Sequence, residues 1–313
     1  DQYNDQDDNN AELSKICSIY GRGYEMYYVD EESNVGITYL TPMEAFMIYD
    51  ESIVERPLFF VHYYRDSDHV ERGSWSNGRI VQRFVNRGSY QWTGEPSLHH
   101  FADVPATEFI ENDERMGIFE SVLPMIDAYN KALSEKANDV DYFADAYLKI
   151  LGAKLEPEDL DNLRSRRIIN FDGDGVSQLI VDFLQKPDGD ATQEHLIDRL
   201  ERLIYQISMV ANISDENFGA SSGIALKYKL LAMSNLAKTK ERKFTSGMNR
   251  RYKVIFGNPA SRMKADAWVG IKYQFTQNYP ANILEESQIA GNLSGITSQE
   301  TQLKVLSIVD NVP

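Results

Sequence analysis

The stretch with the clearest outward sign of chemistry is "NISDENFGASSGIALKYKLL", residues 212–231, where small polar residues and two glycines run into a helix-forming segment. A glycine-rich loop opening onto a helix can hold phosphate through backbone N–H groups and the helix N-terminus. A Walker-type loop also needs a lysine and a hydroxyl directly after its last glycine, for the outer phosphates and the magnesium ion. Here Gly219 and Gly223 are followed by Ile224 and Ala225. The three-glycine dinucleotide pattern fails as well, and the preceding "ERLIYQISMVAN" reads as helix where both motifs need a strand. The loop is therefore not read as a nucleotide site.

"FDGDGV" places Asp172 and Asp174 two apart, a pair that suits a divalent cation. A twelve-residue calcium loop needs a further oxygen ligand, a glycine at position six and a glutamate at position twelve. Counted from Asp172, Val176, Ser177 and Phe183 stand in those places, and the stretch reads as a hairpin turn. His62, His69, His99, His100 and His195 show no H-E-x-x-H or H-x-E spacing, and the side chains of adjacent His99 and His100 diverge in a strand. No G-x-S-x-G elbow occurs. Many carboxylates sit on helices, where they read as solvated faces. No catalytic constellation, metal centre or cofactor site is read from these residues.

The chain of 313 residues is long enough for two or three domains, and its 42% hydrophobic content supports a core. Lys and Arg number 32 against 48 Asp and Glu, a net charge of −16. Such a balance argues against general duplex binding, whose affinity comes from neutralised phosphates. The single Cys17 excludes an intrachain disulfide. No run of about 18 apolar residues predicts a membrane span, no signal peptide is evident, and the expectation is a soluble intracellular protein. The opening "DQYNDQDDNN" reads as the ragged start of a processed chain.

The elements that must position these segments fall into two kinds. Residues 21–100 are rich in aromatic and β-branched residues: "GYEMYYVDEESNVGITYL" is two strands around a polar turn, and "AFMIYD", "PLFFVHYYR", "GRIVQRFVN" and "SYQWTG" follow. From Ser121 the period changes, and Val122, Ile126, Tyr129, Leu133, Ala137, Val140, Ala144 and Tyr147 form one stripe on a long helix. A second helix starts near Ala191, so two helices bracket an αβ insert of about 45 residues. A third helix is predicted over 222–256, with Gly247 beside Ser246 as a kink point. It carries nine Lys and Arg against Glu241 alone, so the rest of the chain holds −24. This basic helix reads first as a partner for the acidic surface of a neighbouring subunit, through Lys240, Arg242, Lys243, Arg250 and Arg251, with contact to nucleic acid and a plain solvated face as the alternatives. "AWVGIKYQFTQ" reads as a strand, and the tail as two short helices, the second with capping-box spacing at Thr297 and Glu300.

The order of parts resembles the portal proteins of tailed double-stranded-DNA bacteriophages, of the siphophage type. "LPMIDAYNKALSEKANDVDYFADAYLKILG" is similar to their stem-helix segment, "GYEMYYVDEESNVGITYLTPMEAFMIYD" to their wing strands, "NFGASSGIALKYKLLAMSNLAKTKERKF" to the tunnel loop and long wing helix, and "GITSQETQLKVLSIVDNVP" to the segment after the wing. The resemblance spans essentially the whole chain and implies an α+β fold of portal architecture: a β-rich wing, a long helical stem, a small αβ clip, a tunnel loop and a long kinked wing helix. On this pattern residues 1–120 are the wing, 121–147 the first stem helix, 148–189 the clip and 190–212 the second stem helix. Residues 213–223 are then the tunnel loop, 224–276 the long wing helix and strand, and 277–313 the start of the crown. Family members carry a longer N-terminal region and usually continue past "DNVP", so the wing is expected to be incomplete at its N-terminus.

The resemblance further implies a homo-oligomeric ring, usually a dodecamer, at one capsid vertex, with double-stranded DNA passing through its channel. Its expected partners are the terminase large subunit, head-completion or adaptor proteins, and scaffolding and capsid proteins. No membrane partner, cofactor or metal is implied. The expected locations are the virion and, during assembly, the host cytoplasm. Asn212, Ser214, Asp215, Glu216, Asn217, Phe218, Gly219, Ser221, Ser222 and Gly223 would face the DNA, and Glu158, Asp159, Arg164, Arg166, Arg167, Asp172 and Asp174 would dock partners at the clip. A flexible loop carrying Asp215 and Glu216 suits a polyanion that must slide without sticking. Two alternatives remain: a metal-dependent nucleic-acid-processing enzyme built on Asp172 and Asp174, and a different head–tail structural protein.

Overall fold

The structure, a computed structural model, describes residues 2–144, 148–151, 180–183, 190–214, 227–276, 283–306 and 308–309. In chain order its elements are α1 (Gln6–Tyr20), β1 (Arg22–Val29), β2 (Val35–Leu40), β3 (Ala45–Tyr49), β4 (Pro57–Arg65), β5 (Glu71–Ser76), β6 (Ile80–Asn86), β7 (Tyr90–Leu98) and β8 (Ala106–Ile110). There follow α2 (Leu123–Ala144), β9 (Leu148–Leu151), β10 (Ile180–Phe183), α3 (Asp190–Ser208), α4 (Leu231–Phe256), α5 (Ile283–Asn292) and α6 (Gln299–Leu303). The fold is α+β. The chain divides into two compact units, one of residues 1–120 with 209–313, the other of residues 121–208.

The smaller unit is a helix pair, α2 with α3, and an antiparallel strand pair in which Ile180 faces Leu151 and Phe183 faces Leu148. Lys136 of α2 is ion-paired with Glu194 of α3. After Ser208, Met209 takes a left-handed backbone conformation. That conformation ends a helix.

The larger unit is layered. A three-stranded antiparallel sheet, ordered β2-β1-β8, lies between helices on one face and a five-stranded sheet, ordered β3-β4-β5-β6-β7, on the other. Successive side chains of a strand point to opposite faces. On β1, Tyr24 and Met26 therefore join Leu40, Ala45, Phe60 and Ala106 between the sheets. Gly23, Glu25 and Tyr27 face α1 and α4. Leu13 and Cys17 of α1 meet Phe109, Phe244 and Met248 there, and Tyr27 meets Phe101, Val254 and Ile255.

The hairpins share one turn chemistry. Each opens on an Asp or Asn whose side-chain oxygen accepts from backbone N–H groups further along the loop: Asp30 from Glu32 and Asn34, Asp50 from Ser52 and Arg56, Asp66 from Asp68 and Val70, Asn77 from Arg79 and Ile80, and Asn86 from Gly88. These residues are suited to such loops because their short polar side chains mimic a backbone turn. Strand β7, at the sheet margin, is irregular. Its register against β6 shifts between Val81 and Arg83, Pro96 interrupts its donors, and the buried Gln82 side chain donates to the Gly94 carbonyl at 3.1 Å.

The opening residues are structured: Asn4 accepts from Ile37 N at 2.9 Å and donates to Val35 O at 3.0 Å, closing the free side of β2, and α1 follows. The helix ends on Gly21 at φ 76°, where a side chain would also strike the Arg115 carbonyl. Three sequence expectations change. Gly247 is no kink. Helix α4 runs through it, and a methyl there would overlap the Phe109 ring, so the glycine lets the helix lie close on β8. "AWVGIKYQFTQ" is not a strand among the described residues: Ala267–Gly270 is one 3-10 turn, and residues 271–276 have no ladder partner. The alternation was real, since Tyr273 stacks on Tyr252 and Phe275 meets Phe244, but both dock on a helix rather than a sheet. The cap of α6 is Ser298, which accepts from Thr301 N at 3.3 Å, and not Thr297.

Candidate functional site

The basic helix α4 presents two rows of cations that behave differently. Those turned inward meet acids of their own chain. Arg251 is 0% exposed and grips Glu25 with two arms, Nε to Oε2 at 2.7 Å and Nη2 to Oε1 at 2.6 Å. Nη2 also donates to Asn10 Oδ1 at 2.7 Å, and the guanidinium lies over the Phe109 ring. Gln6 donates to Glu25 Oε1 at 3.2 Å and Tyr27 to Oε2 at 3.3 Å. One buried carboxylate thus joins α1, β1 and α4. Burial pushes the Glu25 carboxyl up, against the downward pull of Arg251. Two-armed geometry suits a guanidinium, and a dry pair of this kind is stable only while both members are present.

Lys240 is ion-paired with Glu111 at 2.9 Å and donates to the Ser14 carbonyl at 2.9 Å and to Ser18 Oγ. Lys243 pairs with Asp113, and Arg250 with Asp103 at 3.0 Å. The structure therefore gives four of the five cations assigned from sequence to a subunit interface acidic partners inside their own chain. Reversing Arg250 and Arg251 would first break the protomer's own packing. Arg242, the fifth, is exposed and donates to Thr239 at 3.3 Å. Lys238 and Lys253 share its outward turn of the helix and are exposed too.

Between the two sheets a second carboxylate is enclosed. Glu108 accepts from Arg115 at 3.0 and 3.1 Å and from Tyr49 at 2.5 Å. Hydrogen bonding to Glu108 raises the Arg115 value further above its ordinary one, while burial raises Tyr49 and takes Tyr24 up to about 12. Cys17 is buried under α4, and burial takes its thiol up to about 12, so it is a packing group rather than a nucleophile. The ring of His99 accepts from Phe101 N at 3.1 Å and faces the Asn77 carbonyl at 2.8 Å, as a structural group would. Among the described residues no three His, Cys, Asp or Glu side chains come together to hold a metal ion.

The outer face of the five-stranded sheet is a feature that sequence reasoning missed. Phe46 and Ile48 of β3, Phe59, Val61 and Tyr63 of β4, Trp75, Phe84, Tyr90 and Trp92 line an open trough of about 540 Å³. The register explains it, because Phe46 lies opposite Val61, Val61 opposite Trp75 and Phe84 opposite Trp92, and directly opposed residues share a face. The signal was present in "PLFFVHYYR", which is apolar at odd and even positions alike. A strand apolar on both faces needs covering twice.

Of the loop residues, Asn212 and Ser214 are described, with Asn212 Oδ1 accepting from Ser214 N at 3.0 Å. Asp215, Glu216, Asn217, Phe218, Gly219, Ser221, Ser222 and Gly223 lie outside the described residues, as do Glu158, Asp159, Arg164, Arg166, Arg167, Asp172 and Asp174. No described helix is long and apolar enough to cross a membrane.

Over 225 residues the chain is 24% identical to the portal protein of Clostridium phage phiCD119, a match that covers 68% of this chain and 47% of the relative. The chain thus spans about half the length of that curated relative. The family model described as "Phage portal protein, SPP1 Gp6-like" matches residues 1–313. Matching that model from end to end, the chain belongs to the SPP1 Gp6-like phage portal protein family.

Proposed function

We propose that this chain is a subunit of a ring-shaped channel at one capsid vertex, through which double-stranded DNA is packaged and later ejected. The observation that carries the reading is the family match over residues 1–313. In this reading residues 121–147 and 190–212 are the stem, 148–189 the clip that docks the terminase large subunit and head-completion proteins, and 213–223 the loop facing DNA. Scaffolding and capsid proteins meet the ring during assembly in the host cytoplasm, and the finished ring resides in the virion. The protein is a conduit rather than an enzyme.

Electrostatics supports the role. A conduit must pass a polyanion without holding it, and lysine-rich walls would act as a brake. The net charge of −16 and the acidic Asp215 and Glu216 fit that demand. The test is the native mass of the full-length protein together with negative-stain images. A single ring mass with an open axial hole is expected, and a protein that stays monomeric under all assembly conditions would overturn the reading. Asp215→Lys with Glu216→Lys should leave ring formation intact and reduce DNA packaging. Normal packaging by such rings would remove the loop from the DNA path.

A further inference from the structure

The β3–β4 hairpin ends in an unusual tip. Asp50 Oδ1 accepts from Arg56 N at 2.8 Å and from Ser52 Oγ at 2.6 Å, and Glu55 takes a positive φ of 48°, so the loop backbone is held by its own polar residues. Ile53 and Val54 add nothing to that turn, yet they stand at its crest, 105% and 71% exposed. Turn crests ordinarily carry Gly, Asn, Asp or Ser. Two branched apolar side chains held out by a fixed loop form a knob.

The same sheet carries a hole. The aromatic trough is open, and its far wall includes Trp92 at 66% exposure and Tyr90 at 65%. Exposed apolar patches of this extent mark contact surfaces. A copy's own tip leaves that wall bare. The tip and the Tyr90 row lie at opposite ends of β4, whose nine residues span about 30 Å, and Ile53 touches nothing. Charge indicates what enters. Glu51, Glu55 and Arg56 flank the knob and are exposed, leaving its border net acidic by one charge. At the far end of the trough Arg65 shares the face of Glu71 and Tyr90, and Arg87 stands in the adjoining turn; both are exposed. With Glu71 also in the trough lining, the knob's border is net acidic and the hole's rim net basic, so the two complement each other, and one chain carries both.

We propose that the Ile53–Val54 tip of one copy inserts into the aromatic trough of the next, with Glu51 and Glu55 facing Arg65 and Arg87. This rests on the ring reading above. A contact that pairs two different patches of identical chains is head-to-tail, and it closes into a ring when its rotation closes. The tip supplies the anchor of a wider interface, since a stable contact needs about 800 Å² per partner.

The test mixes two full-length variants, Ile53→Cys and Trp92→Cys, under assembly conditions and oxidises them. Cys17 is buried and does not compete. The expected product is a disulfide-linked dimer holding one chain of each kind, formed far more than in either variant alone. An assembled ring without that mixed dimer overturns the tip-in-trough contact and leaves the ring reading standing. Absence of any oligomer overturns both. Ile53→Asp with Val54→Asp supplies the second measurement: both side chains are largely exposed in the protomer, so the melting temperature should hold while subunit affinity falls about tenfold or more. Unchanged affinity overturns the proposal, as does normal assembly with lost binding of another head protein, which would give the trough to that protein.

Discussion

The three-stranded and five-stranded sheets are made from the same kinds of residue and end differently. The first is covered on both faces, by α1 and α4 on one side and by the second sheet on the other. Its central strand carries a buried charge, Glu25, which is held because α4 delivers Arg251 directly to it. The second sheet has one covered face, through Ala45 and Phe60, and one aromatic face open to solvent. Burial on both sides makes the first sheet a structural centre whose residues depend on one another. Exposure on one side leaves the second with apolar surface unused inside the protomer.

Breaking the covered sheet should have the largest effect. Arg251→Met leaves Glu25 charged in a dry site, and the expected loss of folding stability is about 3–5 kcal/mol, read from urea unfolding. Adding Glu25→Leu to it should restore much of the loss, because the uncompensated charge is then gone. Equal losses in the single and double variants would mean that the pair is incidental to the fold.

A pair of smaller changes sharpens the contrast. Gly247→Ala forces a methyl into the Phe109 ring beneath α4 and should cost about 1–3 kcal/mol. Trp92→Ala on the open face should change protomer stability by less than about 0.5 kcal/mol while weakening assembly. Thermal melts beside native-mass titration separate the two; a Trp92→Ala loss as large as that of Gly247→Ala would show the open face to be part of the protomer core.

The mildest expectation concerns acid. The Tyr3 hydroxyl holds Asp30 below its ordinary value, Ser52 does so for Asp50, and Arg72 for Asp66, each aided by backbone N–H groups. Folded values lower than unfolded ones give stabilisation that is complete above the ordinary aspartate range near 3.9 and is lost as pH falls through the depressed values. Amide protection at the three loops, relative to the intrinsic exchange rate at each pH, should fall on going below about pH 4. Replacing the three aspartates with asparagine, as already stands at Asn77, should flatten that dependence, and an unchanged profile would refute the assignment.

Much of this was legible in the sequence, for reasons that particular residues make plain. The strands of residues 21–100 and the helices of 121–208 follow from period alone, and the β1–β2 hairpin from its polar turn. Helix α1 was hidden because its first turns, rich in Asp, Asn and Gln, lack an apolar stripe, and its buried face holds the polar Gln6 with three apolar residues, Leu13, Ile16 and Cys17. Residues 271–276 alternate like a strand, but alternation reports an extended chain and says nothing of whether a neighbour lies beside it. The basic residues of α4 are legible in the sequence as a group, but the way each one faces is not. Whether a cation turns inward depends on which acids the fold brings opposite, and Glu25 and Glu111 are more than a hundred residues away in sequence. The aromatic face was missed because composition counts aromatics without saying which side they take.

The broken margin of β7 has a last consequence. In the proposed ring, identical subunits standing shoulder to shoulder would put many strand borders within reach of one another. A smooth border would invite the next chain to add its backbone, and growth of that kind has no end point. With Pro96 and the plugged kink at Gln82, this border declines such a guest. Crowding can then tighten a finite assembly without seeding a fibre.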